Sequence, residues 1–173
     1  MPSTELSVVL SATNFSAAGT PLLGQLFIFF FGLPLFKIQV DPWVAASMAL
    51  SLYSAAFLGE IWRGSLQSVS RRQWEAAAAL GMPYGQQLLY VVLPQAIRIS
   101  VAPTVGFLMQ LVKDTSLTAL IGFIELTRAS QIITAATFAP LPVYGTAAVI
   151  YFVICFSLGR LSARLERRSH AAR

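Results

Sequence analysis

The chain has 173 residues, of which 56% are hydrophobic and only 11% are charged, and its formal net charge is +5. An ordinary soluble domain carries roughly 25% charged residues, and a soluble chain this short has too little interior for so much apolar surface. The single cysteine, Cys155, excludes a disulfide-stabilised scaffold, and the apolar content excludes a disordered chain. The composition therefore indicates an integral membrane protein.

The charge-poor runs of the sequence predict four membrane-spanning helices, because a helix that crosses the hydrocarbon needs about 20 mostly apolar residues. Residues 1–18 are small and polar, and they lack the basic start of a signal peptide. The spans are assigned to residues 15–36, 43–62, 97–120 and 143–161. The predicted fold is an all-α, multi-pass membrane bundle.

The stretch 63–94, between the second and third spans, is too polar to cross the membrane. Residues 71–80 are strong helix formers, and Gly81 is a suitable helix C-cap with a predicted positive φ. Pro83 can begin a second helix through Val92, which Pro94 would then end or kink. The pattern predicts a helix–turn–helix within this loop.

Charged side chains also lie in or near the spans. Lys113 and Asp114 are adjacent within the third predicted span, where a charge costs on the order of a few kcal/mol and is normally paired or faces a cavity. The two residues can mark a translocation path, or they can neutralise each other and fix helix packing. Glu60, near the inner end of the second span, is either a path residue or an interfacial charge paired with Arg63, and the second interpretation is favoured.

The basic residues predict the orientation of the chain. Nine of the twelve lie at 63–98 or from Arg160 to the C-terminus, and cytoplasmic segments of membrane proteins are enriched in Lys and Arg. Both segments are therefore predicted to be cytoplasmic, which with four spans also places the N-terminus there. A nucleic-acid partner is disfavoured, because most of the basic residues are confined to these two places beside the predicted spans.

Catalytic and metal-binding patterns are missing from the sequence. His170 is isolated near the C-terminus, so no metal site is predicted. The sequence has neither a phosphate-binding P-loop nor a Gly-x-Ser-x-Gly or His-Glu-x-x-His motif. We therefore expect no cofactor bound by this chain, and no ATP hydrolysis or other enzymatic activity.

The loop between the second and third spans resembles the EAA motif of ABC importer permeases. It reads Glu75-Ala76-Ala77, three residues, Gly81, nine residues, and Val91-Val92-Leu93-Pro94, with Val91 in place of the usual Ile. Other segments are similar to the polar amino acid subfamily, and the resemblance covers roughly residues 19–168: Gly19-Thr20-Pro21-Leu22-Leu23, Phe31-Gly32-Leu33-Pro34, Gln73-Trp74-Glu75-Ala76-Ala77, Leu93-Pro94-Gln95-Ala96-Ile97-Arg98, Lys113-Asp114-Thr115-Ser116-Leu117 and Glu125-Leu126-Thr127-Arg128-Ala129.

The resemblance implies a type I importer permease of a bacterial inner membrane. Its partners would be an ATPase subunit that holds ATP and Mg²⁺, a second permease subunit, identical or paralogous, and an extracytoplasmic substrate-binding protein. Residues 19–168 would form the transmembrane domain, with the EAA loop at 71–94, and residues 169–173 a cytoplasmic tail. The loop residues implied to couple to the ATPase are Glu75, Ala76, Ala77, Gly81, Leu93 and Pro94, and the translocation-path candidates are Lys113, Asp114, Thr115 and Glu60.

The chain departs from the family pattern at its start. Family members have an arginine before the Gly-Thr-Pro sequence, where this chain has Ala18, and they usually carry one more span upstream. Residues 1–18 are therefore interpreted as a divergent N-terminal segment, and the usual first span is expected to be missing. The main alternative is a truncated or regulatory membrane module without transport activity. A membrane enzyme is a second alternative, which no nucleophile, base or metal-binding pattern in the sequence supports.

Overall fold

The computed structural model describes residues 20–170, with side chains described as far as Arg164. The divergent segment predicted at 1–18, the start of the first predicted span and residues 171–173 of the predicted tail lie outside the described residues. Within the described range the chain is helical and contains no strand, which confirms the predicted fold class. The helices are α1 (Leu22–Phe36), α2 (Pro42–Gln67), α3 (Arg71–Ala79), α4 (Tyr84–Ile121), α5 (Leu126–Thr137) and α6 (Pro140–His170).

Three of the described helices are long and apolar enough to cross a membrane: α2, α4 and the part of α6 at Pro140–Arg164. Helix α1 is shorter, although it is also apolar. It changes from α-helical to π-helical geometry at Ile28 and to a 3₁₀ turn at Leu33. The second, third and fourth predicted spans thus fall on α2, α4 and α6, and the described part of the first falls on α1.

The sequence predicted that Pro94 would end or kink the helix, and the structure rules out the end. The chain runs as one helix from Tyr84 to Ile121, which joins the second loop helix to the third span. A π-helical segment, Gln87–Val92, immediately precedes the α-helical segment Leu93–Asp114. In a regular α-helix the Pro94 ring would clash with the carbonyl four residues earlier. We attribute the continuity to the wider π turn, which shifts the carbonyl groups that precede Pro94. Pro94 then lies in the first turn of a new α-helical segment, where proline is tolerated.

Helix α4 lies at the centre, between α2 and α6. On the α2 side, the rings of Phe57 and Phe107 stack with centroids 5.5 Å apart. On the α6 side, a Cβ built on Gly159 would stand 3.5 Å from the Met109 Sδ, so the two backbones approach closely. The outer face of α6 is largely exposed, since only 6% of its apolar window is buried within this chain. Such a face is suited to lipid or to another apolar subunit.

Two apolar clusters lie near opposite ends of the bundle. One joins α1 and α2 to the end of α4, and it consists of Leu22, Leu26, Ala45, Ala46, Ala49 and Ile121. The other joins the α2–α3 connection to the start of α4 through Val69, Val92 and Ala96, with Trp74 of α3 packed against it. The second cluster fixes α3 on the membrane helices, and it positions the loop described next.

Candidate functional site

Helix α3 ends in a Schellman turn at Gly81. The Gly81 amide donates to the Ala78 carbonyl at 2.9 Å, and the Met82 amide donates to the Ala77 carbonyl at 3.2 Å. This pair of bonds requires a left-handed residue at the turn, and Gly81 has φ +74°. The positive φ agrees with the sequence prediction, and it is a conformation that residues with a Cβ adopt only under strain.

Further contacts hold the turn against the start of α4. The Gln87 side-chain amide donates to the Met82 carbonyl at 2.6 Å. The rings of Trp74 and Tyr84 stack across the turn with centroids 5.6 Å apart and planes 20° apart. Helix α3 therefore has a defined direction relative to α4, and any force on α3 is passed to a helix that continues to Ile121.

The sequence-predicted coupling residues divide between two faces of this loop. Ala77 is 3% exposed and packs inward, on the same side of α3 as Trp74. Glu75 and Ala76 are exposed on the outer side. The Glu75 Oε1 accepts a hydrogen bond from the Arg71 Nε at 3.1 Å, in an ion pair that is largely exposed. The structure thus leaves an outer α3 surface, defined here as Arg72, Glu75, Ala76, Ala79 and Leu80, without cover from the described chain.

The last two predicted coupling residues, Leu93 and Pro94, begin the α-helical part of α4. Leu93 is half-buried and Pro94 is exposed. They are separated along the chain from the α3 turn by the π-helical segment Gln87–Val92, and they lie where the helix geometry changes.

Glu60 forms an ion pair with Arg63 one turn further along α2. The Arg63 Nε donates to the Glu60 Oε2 at 3.0 Å. Lys113 lies towards the opposite end of the bundle, because the Phe57–Phe107 contact separates it from Glu60. In this structure Glu60 is therefore paired with Arg63 and is not brought together with the other path candidates.

Lys113 and Asp114 end the α-helical part of α4, where the helix narrows to the 3₁₀ segment Thr115–Ile121. Lys113 is exposed and Asp114 is half-buried. The Asp114 Oδ1 accepts a hydrogen bond from the Gln110 Nε2 at 2.8 Å. Within the described part of the chain the ion pairs are Glu60–Arg63 and Arg71–Glu75. Lys113 and Asp114 thus do not neutralise each other in this structure.

Beside Asp114 lies the polar cluster Thr115, Glu125, Thr127 and Tyr151, of which the sequence analysis gave a role only to Thr115, as a path candidate. Glu125 caps α5: its Oε2 accepts from the Thr127 amide and its Oε1 from the Arg128 amide, both at 2.8 Å. The Tyr151 hydroxyl of α6 donates to the Glu125 Oε2 at 2.9 Å and is 3.3 Å from the Thr127 Oγ1. Thr115 lies next to the same hydroxyl.

One part of the polar cluster had a sequence signal. Glu125 directly precedes the helical stretch Leu126–Thr137, and a negative charge at a helix N-terminus is favoured by the helix dipole. No local pattern identifies Tyr151 as the partner of Glu125, since the two residues are 26 positions apart.

Comparisons with known proteins agree on one family. The profile described as "Binding-protein-dependent transport system inner membrane component" matches residues 2–170. The L-cystine transport system permease protein TcyB of Bacillus subtilis (strain 168) is 44% identical over 94% of this chain and 68% of its own length. The glutamine transport system permease protein GlnP of Escherichia coli (strain K12) is 37% identical over 87% of this chain and 69% of its own. The chain thus spans about two thirds of the length of these relatives.

A solved structure described as "Crystal structure of an amino acid ABC transporter with histidines" is similar in fold. It aligns with a TM-score of 0.91 and 33% sequence identity, over 95% of this chain and 77% of that chain. The helix order and the packing around α4 are therefore those of a known transporter bundle.

Proposed function

Because the chain belongs to the family of inner membrane components of binding-protein-dependent transport systems, we propose that it forms the translocation path of an ATP-binding-cassette importer for polar amino acids or related compounds. The observation that carries this proposal is the similarity over 95% of the chain to a solved amino acid ABC transporter. The named substrates of the relatives, L-cystine and glutamine, are small zwitterions. They define the substrate class that we expect here.

The ATPase is proposed to dock on the outer α3 surface. The alanines there allow a partner to approach the α3 backbone closely, and Glu75 offers a carboxylate for a basic residue of that partner. ATP and Mg²⁺ would be held by the ATPase, and this chain would supply the mechanical connection. The support for this role is geometric: α3 is fixed by the Gly81 turn and by Trp74 to α4, which runs without a break to the segment that contains Asp114.

The proposed translocation path includes Lys113, Asp114 and Thr115. A zwitterion carries an ammonium and a carboxylate, and the exposed Lys113 and half-buried Asp114 offer the complementary charges. The change from α to 3₁₀ geometry after Asp114 redirects the following carbonyls and breaks the regular bonding of the helix. The exposed face of α6 is available for the second permease subunit. The substrate-binding protein would approach from the side of the membrane opposite the ATPase.

The transport proposal is tested by uptake into proteoliposomes that contain this chain with the ATPase and binding protein of its own transporter. We expect ATP-dependent accumulation of at least one of three radiolabelled probes, L-cystine, L-glutamine and L-arginine. Vesicles loaded with ADP are the matched control and should show no accumulation. An assembled complex that hydrolyses ATP but imports none of a full amino acid panel would instead support a regulatory module.

The proposed orientation has a direct test by cysteine labelling in a Cys155→Ser background. Gln86, beside the α3 turn, is expected on the cytoplasmic side, and Gln39, between α1 and α2, on the outside; both are exposed in the structure. In intact cells an impermeant thiol reagent should therefore label Gln39→Cys and leave Gln86→Cys and Ser169→Cys unlabelled. Labelling of Gln86→Cys without cell lysis would reverse the orientation, and labelling of Ser169→Cys would reject a cytoplasmic C-terminus.

A further inference from the structure

The Tyr151 hydroxyl lies at a junction of three helices. It donates to the Glu125 Oε2 at the start of α5, and it is near the hydroxyl groups of Thr127 and Thr115. Glu125 is the N-cap of α5, Thr115 follows Asp114 in α4, and Tyr151 is on α6. The Tyr151 hydroxyl thus joins α6 to the start of α5, and α5 in turn contacts the 3₁₀ segment that begins at Thr115.

Both carboxylate oxygens of Glu125 accept hydrogen bonds at this junction. Three donors reach its carboxylate, the amides of Thr127 and Arg128 and the hydroxyl of Tyr151. Two of these donors are at the N-terminus of α5, where the helix dipole also favours a negative charge. A carboxylate held in this way is well placed to orient other groups, and it is poorly placed to receive and release the ammonium group of a moving substrate.

The end of α4 depends on side chains for its geometry. The hydroxyls of Thr115 and Thr118 donate to the carbonyls of Val112 and Thr115, both at 2.7 Å. A second Schellman turn, at Gly122 with φ +85°, ends the 3₁₀ segment and leads into Glu125. Further along α6 from Tyr151, Cys155 and Gly159 contact Met109 of α4. The Tyr151 hydroxyl is therefore placed to set where Asp114 and Thr115 stand, while the packing at Met109 holds the helices together.

We propose that Tyr151 and Glu125 are positioning residues of the translocation path, which hold the Asp114–Thr115 corner of α4 against α5 and α6 through the hydrogen bond between the Tyr151 hydroxyl and the Glu125 carboxylate. This inference rests on the proposed path role of Asp114. The residues act through the corner, so their loss should change how well ATP hydrolysis is converted into movement of the substrate rather than whether the complex assembles.

The test is Tyr151→Phe, which removes the hydroxyl and keeps the ring. In proteoliposomes that import a labelled amino acid, we expect the ATP hydrolysed per amino acid imported to rise about tenfold, the factor that one hydrogen bond to a charged group supports. Complex yield and substrate-stimulated ATP hydrolysis should stay within about twofold of the parent. The matched control is Tyr144→Phe, on the same helix and outside the polar cluster, which should leave the ratio unchanged.

A purely structural role predicts a different result, in which yield, ATP hydrolysis and uptake fall together and their ratio is constant. That outcome overturns the inference, and so does an unchanged ratio at normal yield. Glu125→Gln provides a second variant, because its amide oxygen can still cap α5 while the acceptor for Tyr151 loses its charge; it should raise the ratio in the same direction. Thr115→Val combined with Tyr151→Phe should raise the ratio less than the product of the single effects.

The failure of this inference can be told apart from the failure of the path proposal. If Asp114→Asn leaves uptake unchanged, the path role itself is rejected. If Asp114→Asn impairs uptake while Tyr151→Phe leaves the ratio of ATP to amino acid at the parent value, only the positioning role is rejected.

Discussion

Replacement of Gly81 by valine should separate ATP hydrolysis from transport while the membrane helices still insert. The structure shows that the cause would be backbone strain and not crowding, because a Cβ built on Gly81 meets no atom within 4 Å, whereas its φ is +74°. A left-handed conformation costs an ordinary L-residue roughly 1–2 kcal/mol, and a β-branched residue is especially poorly suited to it. Relief of that strain requires the loss of the Gly81–Ala78 and Met82–Ala77 hydrogen bonds, which redirects α3.

The measurement is co-purification of the ATPase with the permease, together with substrate-stimulated ATP hydrolysis in proteoliposomes. Gly85→Val is the matched control, since Gly85 also has open space around its Cβ position and no positive φ. Gly81→Asn should retain much of the coupling, because asparagine tolerates the left-handed region better than other residues with a side chain. Wild-type coupling in Gly81→Val would contradict the proposal that α3 transmits the motion.

Glu75 allows the orientation of α3 to be distinguished from its contact with the ATPase, because its replacement removes a contact and leaves the Gly81 turn intact. Glu75 is paired with Arg71 within α3, and both side chains are largely exposed. An exposed pair contributes little to stability because it is solvated and screened. Glu75→Ala should therefore leave the helix in place and weaken coupling mildly, through the loss of one contact to the ATPase. Coupling should therefore be reduced more by Gly81→Val than by Glu75→Ala.

Local features of the sequence were sufficient for much of the fold. The charge-free runs located the spans, since hydropathy alone governs which segments can cross a membrane. The α3 helix and its end were also predictable, because strong helix formers lead directly to Gly81 and the Schellman turn depends on a few neighbouring residues. These predictions were possible because they depend on residues that are near each other in the sequence and not on contacts between distant segments.

The continuity of α4 was not predictable from the same rules. Proline at position 94 normally ends a helix, and the sequence has no signature for the π-helical segment that precedes it. That segment forms where Val92 packs against Val69 and Ala96, a contact between residues distant in sequence. The consequence for the proposed function is that a helix that begins at the α3 turn and runs past Asp114 connects the two proposed sites.

The polar cluster, at the other end of α4, was also only partly predictable from local features of the sequence. The cap by Glu125 is local, but its bond to Tyr151 exists only because α5 and α6 pack side by side. The sequence also left open whether Lys113 and Asp114 neutralise each other, and in the structure Lys113 is exposed while Asp114 is hydrogen-bonded to Gln110. Sequence proximity identified the charged residues correctly and did not establish their partners.

Asp114→Asn should reduce uptake by between about tenfold and a hundredfold, with the complex still assembled. Asparagine has nearly the same shape and can keep the hydrogen bond from Gln110, so the change removes little but the charge. A hydrogen bond between a carboxylate and a substrate ammonium contributes roughly 1.5–3 kcal/mol, which corresponds to that range of rates. Uptake of the labelled amino acid, normalised to the amount of assembled complex, measures the effect.

The double variant Lys113→Gln with Asp114→Asn distinguishes a path from a packing pair. If the two charges stabilised each other, each single change would leave an unpaired charge and the double change would restore much of the loss. In the structure Lys113 is exposed and Asp114 is bonded to Gln110 instead, so a single change leaves no stranded partner. The double variant should therefore transport no better than Asp114→Asn alone. Recovery of full uptake in the double variant would instead mean that the two side chains pair during transport, and the assignment of Asp114 to the path would be wrong.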